Sequence, residues 1–107
     1  MVYSVKLMPR AAADAERIYR TVVQQAPISG QEWYNRFIDS LYSLGTFPER
    51  CEVVESVSRP ASTVRKLLYG RKPHTYRVYF DIVELTVRIL HIRHGARREP
   101  RRRDLFG

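Results

Sequence analysis

The stretch Tyr76-Arg77-Val78-Tyr79-Phe80-Asp81-Ile82 decides the reading of this chain. Successive side chains of an extended strand point to opposite faces, so Tyr76, Val78, Phe80 and Ile82 share one side and Arg77, Tyr79 and Asp81 the other. The first set is a core face; the second carries charge and a phenol. Strands of the same character are expected on either side, about Val64 to Tyr69 and Thr86 to Ile92, with the middle one running from Thr75 to Ile82. Gly70 to Pro73 supplies the first turn, whereas the second, near Val83-Glu84-Leu85, lacks the Gly or Asn that tight hairpins favour. Three consecutive strands with short turns read as an antiparallel meander.

Working outward, an apolar face needs a cover. Residues Val2 to Leu7 alternate as a short strand, and Met8-Pro9 breaks it, with Pro9 suited to the first turn of a helix. Ala11, Ala15, Ile18, Val22 and Ala26 recur at helical spacing while Asp14, Glu16, Arg17 and Arg20 lie elsewhere, and Pro27 ends this helix. Ser29-Gly30-Gln31-Glu32 reads as a capping box opening a second helix whose stripe is Trp33, Phe37, Leu41 and Leu44, widened by Ile38, with Gly45 as its C-cap. The fold class is α+β: an N-terminal strand, an antiparallel helical hairpin, then the meander, forming one twisted sheet with helices on one face and the other face open. Glu52 to Val57 is expected to be extended before a loop-rich stretch around Pro60. The Arg-rich tail from Gly95 to Gly107 is expected to be mobile in isolation.

A chain of 107 residues with 44% hydrophobic side chains supports one core and one domain. Its apolar runs are only a few residues long, far short of the roughly 20 that cross a bilayer, and the N-terminus has no signal-peptide core, so no membrane association and a cytoplasmic location are expected. The lone Cys51 can form no internal disulfide. The net charge of +8 is unevenly placed: residues 1–58 carry 6 Lys/Arg against 7 Asp/Glu, residues 59–107 carry 13 against 4. The entire excess lies in the second half, which points to an anionic partner. With no Gly-rich phosphate loop, and with three His and one Cys lacking ligand spacing, no cofactor and no metal are expected.

The side chains suited to meet an anion on the open face and at its C-terminal edge are Arg77, Tyr79, Arg65 or Lys66, Arg93, Arg97 and Arg98. Guanidinium forks bind phosphate or carboxylate through two parallel hydrogen bonds, and a Tyr beside an Arg can stack on an unpaired base. His91 and His94 fall on opposite faces of the last strand, so at most one of them can join this group. His94, nearer the strand end, is the candidate for proton transfer, against the alternative of a purely structural imidazole; His74 sits in a turn without distinguishing context.

The order of elements, with Val64-Arg65-Lys66-Leu67-Leu68-Tyr69-Gly70, Tyr76-Arg77-Val78-Tyr79-Phe80 and Val87-Arg88-Ile89-Leu90-His91-Ile92-Arg93-His94-Gly95-Ala96-Arg97-Arg98, resembles the RelE/ParE superfamily of bacterial toxins; the helical segment 37–51 is also similar. The resemblance implies the toxin of a type II toxin–antitoxin module. Its partner would be a cognate antitoxin that wraps the basic face and the helical hairpin and itself binds operator DNA, so that the toxin meets operator DNA only indirectly. In the RelE-like branch the implied activity is metal-independent cleavage of messenger RNA on the ribosome, which needs a base, a cation for the developing phosphorane and an acid for the leaving oxygen. Arg77 and Arg97 match that branch's arginines, with His94 as the substitute proton carrier. The branch places a Tyr about six residues after the second arginine, where this chain has Arg103. The ParE-like branch poisons DNA gyrase and needs no hydrolytic site, and the missing Tyr leans the reading that way.

Three functions therefore stand beside one another: a gyrase-directed toxin, a ribosome-dependent endoribonuclease, and a nontoxic basic module for nucleic acid or an acidic protein.

Overall fold

The computed structural model describes residues 2–107. Strand β1 (Ser4–Leu7) leads into helix α1 (Pro9–Gln25), which is followed by α2 (Pro27–Tyr42), β2 (Glu52–Val53), β3 (Arg65–Tyr69), β4 (Tyr76–Val83), β5 (Thr86–His94) and a short α3 (Arg102–Phe106). The five strands form one sheet in the order β1-β5-β4-β3-β2. The meander β3-β4-β5 is antiparallel, and β1 joins its edge in parallel, Ser4 opposite Thr86 and Leu7 opposite Ile89. β4 is therefore central, as its alternation requires, and the architecture is the α+β arrangement read from the sequence.

The main core lies between the hairpin and one sheet face. Ala11, Ala15 and Ile18 from α1, Phe37 and Leu41 from α2, and Tyr76, Val78, Phe80, Val87 and Ile89 from the sheet are buried together. The helix junction differs from expectation. No Ser29–Glu32 box caps α2; it starts at Pro27, whose fixed φ suits a first helical position, and Ala26 alone, in extended conformation, connects it to α1. Gly30 permits so tight a junction, since a Cβ there would lie 2.2 Å from the Val22 carbonyl oxygen. Gly45 falls in a 3₁₀ turn (Ser43–Gly45) after the helix and is not its C-cap, and only Glu52 and Val53 of the 52–57 stretch pair as a strand, the rest turning at Glu55–Val57. The β4–β5 hairpin closes through two residues, Glu84 and Leu85, with Glu84 at φ 55°, the left-handed conformation for which Gly or Asn is the usual choice.

The second face of the sheet is not open. Residues 96–107 fold back across it, and Leu105 is buried with Val57, Val64, Tyr79 and Leu90 in a second, smaller core flanked by Val54 and Phe106. The tail is thus an ordered strap. It is polar in composition, but Leu105 and Phe106 supply apolar anchors and Asp104 caps α3 by accepting from the Arg101 backbone N–H at 2.8 Å. Arg59 lies 3.7 Å above the Phe106 ring, and Arg102 donates to the Ser58 carbonyl.

Candidate functional site

Arg77 and Tyr79 share the strap-side face of β4, and the β4–β5 register sets Arg93 opposite Arg77 and His91 opposite Tyr79. A bulge between Tyr79 and Phe80 lets both Leu90 and His91 serve that face. Three of the expected basic or phenolic groups thus converge, but under cover: Arg77 is 6%, Arg93 4% and Tyr79 0% exposed. A buried guanidinium must find acceptors, and the strap provides them. One terminal nitrogen of Arg77 donates to the Tyr79 hydroxyl at 3.0 Å and to Glu99 Oε1 at 3.1 Å; the other donates to the carbonyls of His94, Arg97 and Arg98. Its Nε is buried without a partner among the described residues. Arg93 donates to the Arg98 carbonyl at 3.0 Å and pairs with Asp104 at 3.4 Å.

The Nε of Arg93 also donates to His91 Nε2 at 3.2 Å, which leaves the proton of a neutral imidazole on Nδ1, where it is donated to Asp14 Oδ2 at 2.7 Å. The same carboxylate oxygen accepts the Ile92 backbone N–H at 3.0 Å. β1 pairs with β5 only as far as Ile89, so Asp14 of α1 satisfies an edge amide that no strand reaches. Burial alone would raise the Asp14 carboxyl, but His91, the Ile92 amide and Arg17 outweigh it and hold it below the usual carboxylate range. Desolvation pushes the Tyr79 phenol up to about 12, with Arg77 and Glu99 acting in opposite senses upon it. Desolvation also lowers Arg93, with Arg97 and Arg77 adding repulsion and Asp104 opposing it.

The remaining expected residues divide. Lys66 lies on the strap-side face opposite Tyr79 and pairs with Glu52 at 3.4 Å. Arg65 belongs to the other face, opposite Phe80, and its guanidinium donates to the carbonyls of Glu49 and Cys51, so it does not join the cluster. Arg97 and Arg98 contribute their backbone carbonyls to it while their side chains are exposed. His94 pairs with Tyr76 on the helix-side face and packs edge-on to it, ring centroids 5.1 Å apart, its Nδ1 accepting the Ala96 N–H. The imidazole that meets the arginines is His91, which is 2% exposed. An anion-binding face read as open is, in this structure, an arginine cluster neutralised by the chain's own carboxylates and carbonyls.

Sequence reasoning passed over Asp14, Glu99 and Asp104. Glu99 and Asp104 are the only acids in residues 95–107, and Asp14, read from the sequence as lying off the apolar stripe of α1, is instead buried on it with Ala11, Ala15 and Ile18. An acid isolated in a basic run, or seated on an apolar stripe, signals a specific partner.

Residues 5–99 match the family described as the ParE toxin of the type II toxin–antitoxin system parDE. The chain belongs to the ParE toxin family. Among solved structures this ParE-family chain is similar to one from the chromosomal ParDE toxin–antitoxin system of P. aeruginosa, at 21% identity and a TM-score of 0.67, over 87% of this chain and 96% of that one. It is also similar to a mutant of the E. coli toxin RelE in the free state, at 13% identity and a TM-score of 0.57, over 90% of this chain and 86% of the other. At such identities these two likenesses speak for the fold. No curated protein matches. No helix among the described residues is long and apolar enough to cross a membrane, and no three His, Cys, Asp or Glu side chains there come together as a metal site.

Proposed function

We propose that this ParE-family chain arrests growth by binding DNA gyrase, without cutting RNA, and that a cognate antitoxin neutralises it. The observation that carries the reading is the engagement of Arg77 and Arg93. A ribonuclease of the RelE type needs cations free to meet a phosphorane and a proton carrier beside them. Here both guanidinium groups are buried and bonded to Glu99, Asp104 and strap carbonyls. The phenol in contact with Arg77 holds its proton to about pH 12, too firmly for a shuttle at neutral pH. His94 is on the opposite face from Arg77, so of the two arginines matched to that branch only the exposed Arg97 borders a cavity with it. A toxin that acts by binding needs none of these groups free. The similarity to a ParDE system supports an antitoxin partner, and the surplus of 13 Lys/Arg against 4 Asp/Glu in residues 59–107 suits an acidic segment of it.

Induction of the chain is expected to stop growth, with rescue by the co-expressed antitoxin, and to trap gyrase on broken DNA. Intact, normally supercoiled DNA during arrest would refute the gyrase reading, and codon-phased transcript breaks that vanish in Arg77→Ala would replace it with the nuclease. Unimpaired growth would leave the nontoxic module in its place.

A further inference from the structure

On the other side of the sheet, where the end of the helical hairpin meets the β3–β4 turn, three cavities of about 580, 190 and 630 Å³ run into one another. The first shares Thr21, Tyr76 and His94 with the second, and Trp33, Arg36 and His74 with the third, so they form one groove. No acidic side chain lines any of the three. Arg97 stands at one end, Arg36 in the middle, and Arg71 and Lys72 at the other. Among the described residues none of these four makes an ion pair, although Arg17 and Arg93, which also border the groove, do. The floor is aromatic. Trp33 lines both larger cavities, one face stacked on Phe37 at 5.3 Å, and its neighbours Tyr69 and Tyr76 each border one of them.

We propose that this groove binds a short run of single-stranded nucleic acid, whichever cellular target the toxin has. Unpaired cations strung along an aromatic floor are what a phosphodiester chain with unstacked bases requires: charge for the backbone and a flat apolar surface for the bases. Arg, Lys and Trp side chains donate hydrogen bonds and accept none, while a phosphodiester backbone accepts and donates none. An acidic peptide matches the charge but brings its own backbone N–H donors, which would meet a rim composed mainly of donors. A duplex keeps its bases inside and offers nothing to stack on Trp33.

Trp33 is the only tryptophan of the chain, so its fluorescence reports on the groove alone. Titrating the full chain with a deoxythymidine oligomer of about ten nucleotides is expected to quench that signal. With the four unpaired cations on four phosphates, raising salt from about 50 to about 200 mM weakens binding about 50-fold, a log–log slope near −3. The double variant Arg36→Gln/Lys72→Gln removes two exposed cations without touching a core residue; it roughly halves that slope. Arg20→Gln, exposed on α1 and outside the groove, leaves binding unchanged. The proposal fails if no quenching occurs at low salt, if a duplex of equal length binds as well, or if Arg20→Gln weakens binding as much as the double variant. It fails equally if polyglutamate of matched charge quenches more tightly, which would make the groove a seat for an acidic protein segment.

Discussion

At the scale of single residues, Asp14 ties three groups together. Its carboxylate serves His91, the Ile92 amide and Arg17 at once, so removing it strands a buried imidazole proton and a buried amide. Asp14→Ala is expected to cost about 3 kcal/mol in urea unfolding at neutral pH, since unsatisfied buried groups cost roughly 1–3 kcal/mol each. The pH dependence has a definite sign. Because the folded carboxyl is held below its unfolded value, the stability it contributes is present above the ordinary carboxylate range, about 3.9 for Asp, and fades as the pH falls through the depressed folded value. The acid limb of the stability curve should therefore be shallower in Asp14→Ala; an unchanged limb would show that other carboxylates govern it. Tyr79 gives the opposite test. A phenol held to about 12 stays protonated when exposed tyrosines have ionised, so the last phase of an alkaline absorbance titration belongs to it and disappears in Tyr79→Phe.

At the scale of elements, the strap is the part that departs furthest from expectation. Gly95 to Gly107 has the composition of a solvated tail, and no periodicity in so short a run announces α3. Its docking depends on two kinds of contact: Leu105 and Phe106 against the second core, and Glu99 and Asp104 against the arginines. Leu105→Ala is expected to lower stability by about 2–3 kcal/mol, the lower range for an aliphatic truncation in a core that can relax. It should also speed hydrogen exchange through residues 99–106 well before α1 is affected. Equal acceleration in both would mean that the strap unfolds only with the whole domain. The junction of α1 and α2 departs for a smaller reason: a capping box at Ser29 and Glu32 competes with Pro27 at a first helical position, and Gly30 lets the tighter turn prevail.

For the whole molecule, what was legible followed from period. Alternation in Tyr76 to Ile82 placed Val78 and Phe80 under the helices and Tyr79 away from them, and the spacing of Ala11, Ala15 and Ile18 marked the buried side of α1. What was not legible was the depth of the other face, because alternation assigns sides and is silent on what crosses them. Arg77 and Arg93 read as solvent-facing for that reason, and of the adjacent pair Arg65 and Lys66 the register sets Arg65 on the helix side. The parallel pairing of β1 with β5 has a different consequence. Ser4 finds its partner only at Thr86, so closing the sheet brings together two segments with the whole hairpin and most of the meander between them. The entropy of that closure must be met before its hydrogen bonds are gained, and pairings so distant in sequence slow the search. In time, the edge sealed by Ser4 to Leu7 is the last the chain can complete. Until residues 86–89 have been synthesised, the first strand has no strand to pair with.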